Sequence, residues 1–351
     1  MRKQSFSFAA ALLAALLMLT ALPALAQNTT FGLSADDFAL WTSANAASAA
    51  ETQMAFDFTL AFSASDAGVS SSANLNGTGA LDTEAQAFQL AVTGTANADS
   101  VETPLNIEIR VVDGNFYLNA TDPGTGQSTG WIGDSIASLS SMAGAASGLQ
   151  VGGLPVDPNA LNGTSSADMA ALTAAFANID ASEFIAIARA ADEKIGSVDV
   201  AHFVMDLSLD NLFQSSGMTQ IMQAAMQSAS ASGSTGGMSA AQMTAMLPML
   251  STMMQDSTVT LEQYVALNSS LVERAVLTLN LNINAAALGQ TSGGNGTVSL
   301  VFDVNLSNYG EPPNIQVPEG AQMGALASLG SSMGTNLVSP GPGQEIPKYS
   351  P

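Results

Sequence analysis

Chemistry in this sequence has few residues to work with. One histidine occurs in 351 residues, His202 within "VDVAHFVMDL", and cysteine is absent. A lone histidine on a strand-like stretch lacks the partners that acid–base or metal work needs, so His202 reads as a structural residue. Serines abound, and Gly-x-Ser-x-Gly occurs at Ser128 and Ser332, but neither leads from a strand-like stretch into a helical one as a nucleophile elbow does. Asp36-Asp37 reads as the acidic first turn of a helix, and Asp192-Glu193, followed by Lys194, as a solvated turn. Calcium asks for several carboxylates converging on one loop, and no Asp-x-Asp-x-Asp-Gly run occurs. "GTGQSTG" near 124 and "GGNG" near 293 lack the strand-to-helix setting of a phosphate loop and read as turns. The sequence predicts no catalytic residue, no metal ligand and no cofactor.

What remains is apolar recognition. Nine of the 17 methionines fall between Met218 and Met254. Met218, Ile221, Met222, Ala225 and Met226 share one helical stripe; Met243, Met246, Leu247, Leu250, Met253 and Met254 form a second, interrupted by Pro248. The Ser/Gly linker "SASASGSTGG" separates them. Methionine is flexible and polarizable and suits surfaces that adapt to varied apolar partners. The same spacing describes an ordinary core face, and both readings stay open.

The elements that must position these stripes follow from periodicity. Ser34 caps an alanine-rich helix of about four turns in "SADDFALWTSANAASAAET". In "MAFDFTLAF", Met54, Phe56, Phe58, Leu60 and Phe62 alternate with smaller or polar residues, which makes a strand with one greasy face. "ANLNGTGAL", "AFQLAVTGTA" and "LNIEIRVV" continue the alternation, and Asp113-Gly114 turns the chain into "NFYLNA", so residues 54 to 121 read as an antiparallel meander. Helical, alanine-rich sequence is expected from Asp134 to Ser147, through "SSADMAALTAAFANIDASEFIAIARAA", and at about 210 to 229 and 239 to 256. "VDVAHFVMDLSLDNLF" interrupts it as a strand, and "TVTLEQYVAL", "LVERAVLTLNLNIN" and "GTVSLVFDVNLSNYG" return to strands. The sum is an α+β chain: one antiparallel sheet covered on one side by helices inserted mid-chain.

Residues 1–26 have the basic, apolar and small-residue order of a signal peptide, with Arg2-Lys3, an apolar run from Phe8 to Leu22, and Ala24-Leu25-Ala26. The mature chain is expected to start near Gln27, with no cysteine there to carry a lipid anchor. Two of the seven lysines and arginines lie in that segment and all 29 acids beyond it, so five cations face 29 anions and the remainder carries −24. Such a surface excludes nucleic acid as a partner. Charged residues make up only 10% of the chain, and Ser, Thr, Asn and Gly carry its solubility, which fits a secreted or cell-envelope setting. Residues 27–322 read as one domain and 323–351 as a flexible tail rich in Pro and Gly.

The hairpin "DGNFYLN" leading to "TGWIG" and the closing "LSNYGEPPNIQVPEG", set in a long sheet with a mid-chain helical insertion, resemble the LolA-like lipoprotein-carrier superfamily, including its LppX/LprG-like half-barrel lipid carriers. The resemblance implies a half-open β-barrel with helices over its concave side and an apolar cavity between. Pro312, Pro313 and Pro318 are then expected to stop pairing at a sheet edge. In that shape Phe56, Phe58, Met218, Ile221, Met222, Met243, Met246 and Leu250 would line the cavity. The ligand would be a lipid or other hydrophobic small molecule, exchanged with a transient membrane or envelope partner. The competing reading is a cell-surface structural or interaction module whose core its own side chains fill.

Overall fold

In the computed structural model of the chain, the described residues are 30–66, 69–98, 101–122, 124–138, 180–215, 251–252, 254–283 and 296–324. Helix α1 (Ala35–Ala50) starts at Ser34, whose hydroxyl accepts the Asp37 N–H at 3.2 Å. Strands β1 (Gln53–Asp66), β2 (Val69–Asp82), β3 (Ala87–Ala98), β4 (Val101–Val112) and β5 (Asn115–Ala120) then form the expected meander. The β4–β5 turn puts Asp113 and Gly114 at φ 52° and 70°, the left-handed pair that a two-residue hairpin needs. Next come β6 (Ile132–Ser135), β7 (Ile185–Arg189), β8 (Glu193–Ile195), β9 (Val198–Leu207) and the short helix α2 (Leu209–Gln214). Strands β10 (Thr258–Ala266), β11 (Val272–Ile283), β12 (Gly296–Ser307) and β13 (Gln322–Met323) complete the order.

One open sheet holds all of them, in the order β13-β6-β5-β4-β3-β2-β1-β12-β11-β10-β9-β7, with β8 also on β9. Every pairing is antiparallel except β13 with β6. The sheet's two edges do not meet, which gives the half-barrel, and its two faces differ. In register across the strands lie Ile187, Met205, Leu261, Leu277, Phe302, Leu60 and Leu75. The next row is Phe203, Gln263, Ala275, Val304 and Phe58. These rows form one apolar face, and the alternate residues form a polar one.

α1 lies on the apolar face with Trp41, Ala44 and Asn45 buried. Trp41, 1% exposed, donates its indole N–H to Gln263 Oε1 at 2.6 Å, and Gln263 donates to Asn45 Oδ1 at 3.0 Å. Asn45 in turn donates to the Trp41 carbonyl at 2.8 Å. Gln263 is thus a polar residue on the apolar face, 3% exposed, with both ends of its amide bonded to the helix. At the helix ends, Asp37 pairs with Arg189 and Ser48 accepts the Val272 N–H at 2.9 Å. Arg189 also reaches Asp192 and lies 5.9 Å from the Phe203 ring.

Three expectations change. Ile185–Arg189 is a strand, because Ile185 and Ile187 alternate toward the core while the backbone pairs with β9; that pairing outweighs the helix preference of the surrounding alanines. Asp134 and Ser135 belong to β6, paired with β5. The last long strand is not at an edge, since β12 lies between β1 and β11 in the middle of the sheet. From its end the chain turns at Asn308 and Gly310, both at positive φ, and crosses the polar face to β6. Arg110 donates to the Gln316 carbonyl at 3.1 Å on the way. The prolines fit an extended crossing that asks for no ladder bonds. Pairing runs through Met323, which faces Gly133. The remaining expected helices, at 139–179 and 216–250, and the segment 1–29 lie outside the described residues. The described helix that covers the sheet is the N-terminal α1.

Glycines on β2 and β3 shape the apolar face. A Cβ on Gly77 or Gly79 would overlap the rings of Phe58 or Phe56, so these rings lie across the glycines of the neighbouring strand. A Cβ on Gly94 would run into the Asn74 carbonyl and the Leu75 backbone, which have no side-chain freedom to yield. Gly94→Ala is therefore expected to cost at least about 2 kcal/mol, and Gly114→Ala, where the space is open, only about 1 kcal/mol. Gln263→Leu, which strands the Trp41 N–H and the Asn45 amide, is expected to cost about 1–3 kcal/mol for each group left unpaired. Denaturant melts read all three, and equal midpoints for the two glycine variants would refute the clash.

Candidate functional site

The apolar face falls into two parts. Around β7 to β12 it is closed by α1: Phe203, Leu60, Phe302 and Leu300 are buried, with Phe31, Phe38 and Trp41 from the helix end packed together at ring separations of 6.2–6.4 Å. Toward β3, β4 and β5 the same face continues as Phe88, Leu90, Val92, Leu105, Ile107, Ile109, Phe116 and Leu118, all half-buried. Alternation places these side chains on one side, and register aligns Val92 with Ile107 and Leu90 with Ile109. A strip of this width exceeds the scattered single exposures that any surface shows.

Phe56 and Phe58 stand where the two parts join. Phe58 is 4% exposed, 5.5 Å from the Phe302 ring, and belongs to the closed core. Phe56 is half-buried and stacks on Phe58 at 6.5 Å and on Phe88 at 6.4 Å, so it faces the open strip. The other candidate residues, Met218, Ile221, Met222, Met243, Met246 and Leu250, lie outside the described residues.

A groove of about 420 Å³ opens where β7 and β10 begin and β9 ends. Phe184, Ile185, Leu207 and Val259 give it an apolar floor, and Ser182, Glu183, Asp206, Ser208, Asn211 and Thr258 are among its polar lining. Ile185, Leu207 and Val259 stand in one register row that continues through Leu279 and Leu300 to Phe62. The groove is thus one end of the apolar face. None of its residues figured in the sequence-based set. The alternation of Ile185 and Ile187 carried the missing signal.

Beside the groove, the chain that leads out of α2 at Ser215 and the chain that returns at Ser251 are held together. Ser251 donates to Asp210, Gln214 donates to Asp210 at 2.6 Å, and Gln214 reaches the Ser251 hydroxyl at 3.2 Å. The sequence between these two points contains the first methionine stripe and the second as far as Leu250.

The polar face holds the remaining chemistry-bearing groups. His202, 8% exposed, contacts Glu193 at 3.1 Å through Nδ1 and Glu262 at 2.9 Å through Nε2, and stacks on Tyr264 at 4.3 Å. The Tyr264 hydroxyl donates to Glu262 at 2.9 Å. Arg274 lies 5.3 Å from the Tyr264 ring and grips Asp303 through two N–H groups at 2.9 and 2.7 Å. Both histidine nitrogens and the tyrosine hydroxyl are thus engaged in holding β8, β9 and β10 together, which matches the structural reading of His202. Among the described residues no group of three or more acidic or histidine side chains is placed to hold a metal ion.

No protein-family model matches the chain. No curated protein matches it. Among solved structures, lipoprotein LppX of Mycobacterium tuberculosis is similar at 12% identity, over 79% of this chain and 97% of its own, with a TM-score of 0.27. LprF of Mycobacterium bovis is similar at 11% identity, over 82% of this chain and all (100%) of its own, with a TM-score of 0.34. A DUF1329 family protein of Desulfovibrio piger follows at 7% identity, 77% and 89% coverage, and a TM-score of 0.20. At such identities the chemistry has to come from this chain's own side chains.

Burial, and then the Glu262 carboxylate, push the Tyr264 phenol up to about 12, and burial pushes Tyr309 up as well. A phenol whose folded value is raised keeps its proton while the unfolded chain loses it. The stabilisation is therefore complete below about pH 10 and falls as pH rises toward 12. Unfolding free energy is expected to decline over that window, and less steeply in Tyr264→Phe; identical slopes for the two proteins would contradict the assignment.

Proposed function

We propose that the chain is an extracytoplasmic, non-enzymatic carrier that holds a lipid or other apolar molecule against the apolar face of its half-barrel. The observation that carries this is the groove of about 420 Å³ whose floor runs in register into the sheet's apolar face. Ligand sites are concave, mainly apolar and roughly 300 Å³ or larger, with a few polar groups at the margin. The half-buried strip over β3 to β5, with Phe56 at its border, supplies more apolar wall than a closed core of this size needs.

In this reading Met218, Ile221, Met222, Met243, Met246 and Leu250 line the ligand from the opposite side, with Phe56 below and Phe58 behind it in the closed core. Their flexible thioethers suit chains of varied shape. Residues 1–26 direct export and are removed near Gln27, leaving one domain over 27–322 and a tail over 323–351. Without cysteine the released chain is not lipid-anchored, and it meets a membrane or envelope partner transiently to load or deliver. No helix among the described residues is long and apolar enough to cross a membrane.

A second reading, a structural or interaction module filled by its own side chains, is favoured by the closed part of the core, where Phe58, Leu60, Phe203 and Phe302 are buried. Mass spectrometry of organic extracts from purified protein separates the two: the carrier yields stoichiometric lipid, and a clean extract that stays clean after incubation with lipid mixtures supports the module. Val259→Trp, Met222→Asp and Met246→Asp are expected to lose bound lipid with far-UV circular dichroism retained. Phe58→Asp is expected to unfold, because an unpaired buried charge costs several kcal/mol, about the net stability of a domain. Secretion is checked by N-terminal sequencing of the exported chain; material that begins at Met1 and sediments with membranes would overturn it.

A further inference from the structure

The groove has a chemical polarity that carriage of apolar chains does not by itself require. Among the described residues no lysine, arginine or histidine lines it, whereas the carboxylates of Glu183 and Asp206 do. The four cations among the described residues are committed elsewhere. Arg189 is held by Asp37 and Asp192, Lys194 by Asp199 and Arg274 by Asp303, while Arg110 lies 4.9 Å from the Trp131 ring. None is free to swing in and neutralise an anion.

The hydrogen-bonding groups around the groove divide in a second way. The hydroxyl of Ser208 accepts the Asn211 N–H, that of Ser257 accepts the Asn282 N–H, and Thr260 donates to Asp206 at 2.9 Å. These hydroxyls cap and brace the fold. The Asn211 side-chain amide and the Thr258 hydroxyl have no partner among the described residues and are exposed at the groove. An amide and a hydroxyl each donate and accept, so together they match a hydroxyl-bearing group and bring no charge to neutralise an ion.

We infer that the groove is a headgroup subsite for an uncharged, hydroxyl-bearing amphiphile, and that it rejects phosphate and carboxylate heads. The inference rests on the carrier reading and adds the class of headgroup to it. The acyl part follows the floor from Ile185, Leu207 and Val259 toward Leu279 and Phe62. The hydroxyls exchange hydrogen bonds with the solvent-exposed Asn211 and Thr258 side chains, so a hydroxyl replaces solvent like with like. An anionic head in the same place would leave bulk water to sit beside Glu183 and Asp206 with no counter-charge, which disfavours it most at low salt.

Displacement of N-phenyl-1-naphthylamine from the full chain tests this with three ligands of one tail: hexadecyl glycerol ether, hexadecyl phosphate and hexadecyltrimethylammonium, each below its micelle concentration at low salt. The glycerol ether is expected to bind at least about tenfold more tightly than the phosphate. In a Glu183→Lys, Asp206→Asn double variant, both positions being exposed, the gap is expected to close or reverse. Phosphate binding that equals the glycerol ether in the unaltered protein overturns the inference. So does an unchanged gap in the double variant. Ammonium binding tighter than the glycerol ether would reassign the rim to amines and overturn it too. If the dye does not bind, or no ligand displaces it, the carrier reading itself has failed.

Discussion

Two buried hydrogen bonds between α1 and one strand fix what the rest of the molecule can be. Gln263 is a polar residue in the middle of an apolar face, and its amide is satisfied only when Trp41 and Asn45 are in place. Hydrophobic packing is nondirectional and would let α1 slide along the sheet. The amide allows one position, because any shift leaves a buried donor or acceptor without a partner. With the helix fixed there, the β7 to β12 part of the face is closed. The β3 to β5 part is left to other contacts.

The glycines extend the same division of labour. Over Gly77 and Gly79 the rings of Phe58 and Phe56 lie down on β2, and the neighbouring β3 carries Gly94 where the Asn74 carbonyl and Leu75 press close. Strands give up side chains here so that aromatic area can be laid across the backbone. The face passes from a dense core at Phe58 and Phe302 to a shallower, half-buried wall at Phe88, Leu90 and Ile109. A rigid half beside an accessible half is a workable arrangement for holding a loosely specified apolar guest.

The polar face answers a different constraint, an excess of acids with few cations. Arg189, Lys194 and Arg274 each bridge strand or helix segments that would otherwise repel, and Arg110 ties the crossing strap to β4. His202 hydrogen-bonds between Glu193 and Glu262. Surface pairs of this kind contribute little singly. Here they absorb the described cations, and among the described residues the charged groups at the groove are carboxylates.

Elements whose information is local were legible in the sequence. The cap at Ser34, the turn at Asp113-Gly114 and the alternating faces of "MAFDFTLAF" and "LNIEIRVV" depend on neighbours a few residues away, and each stands in the structure as read. β7 was missed because five residues flanked by alanines offer a weak period, and its strand state comes from pairing with β9. The position of β12 beside β1 was also beyond a local reading, since Phe58 meets Val304 across most of the chain's length. The groove depended on tertiary structure most of all. Glu183, Leu207 and Val259 are ordinary residues in their own segments, and they form a site only because strand register brings three distant stretches to one end of the sheet. Periodicity assigns a residue to a face; which residues share a place on that face is decided by pairing between distant strands, and that pairing is set by the packing of the whole sheet.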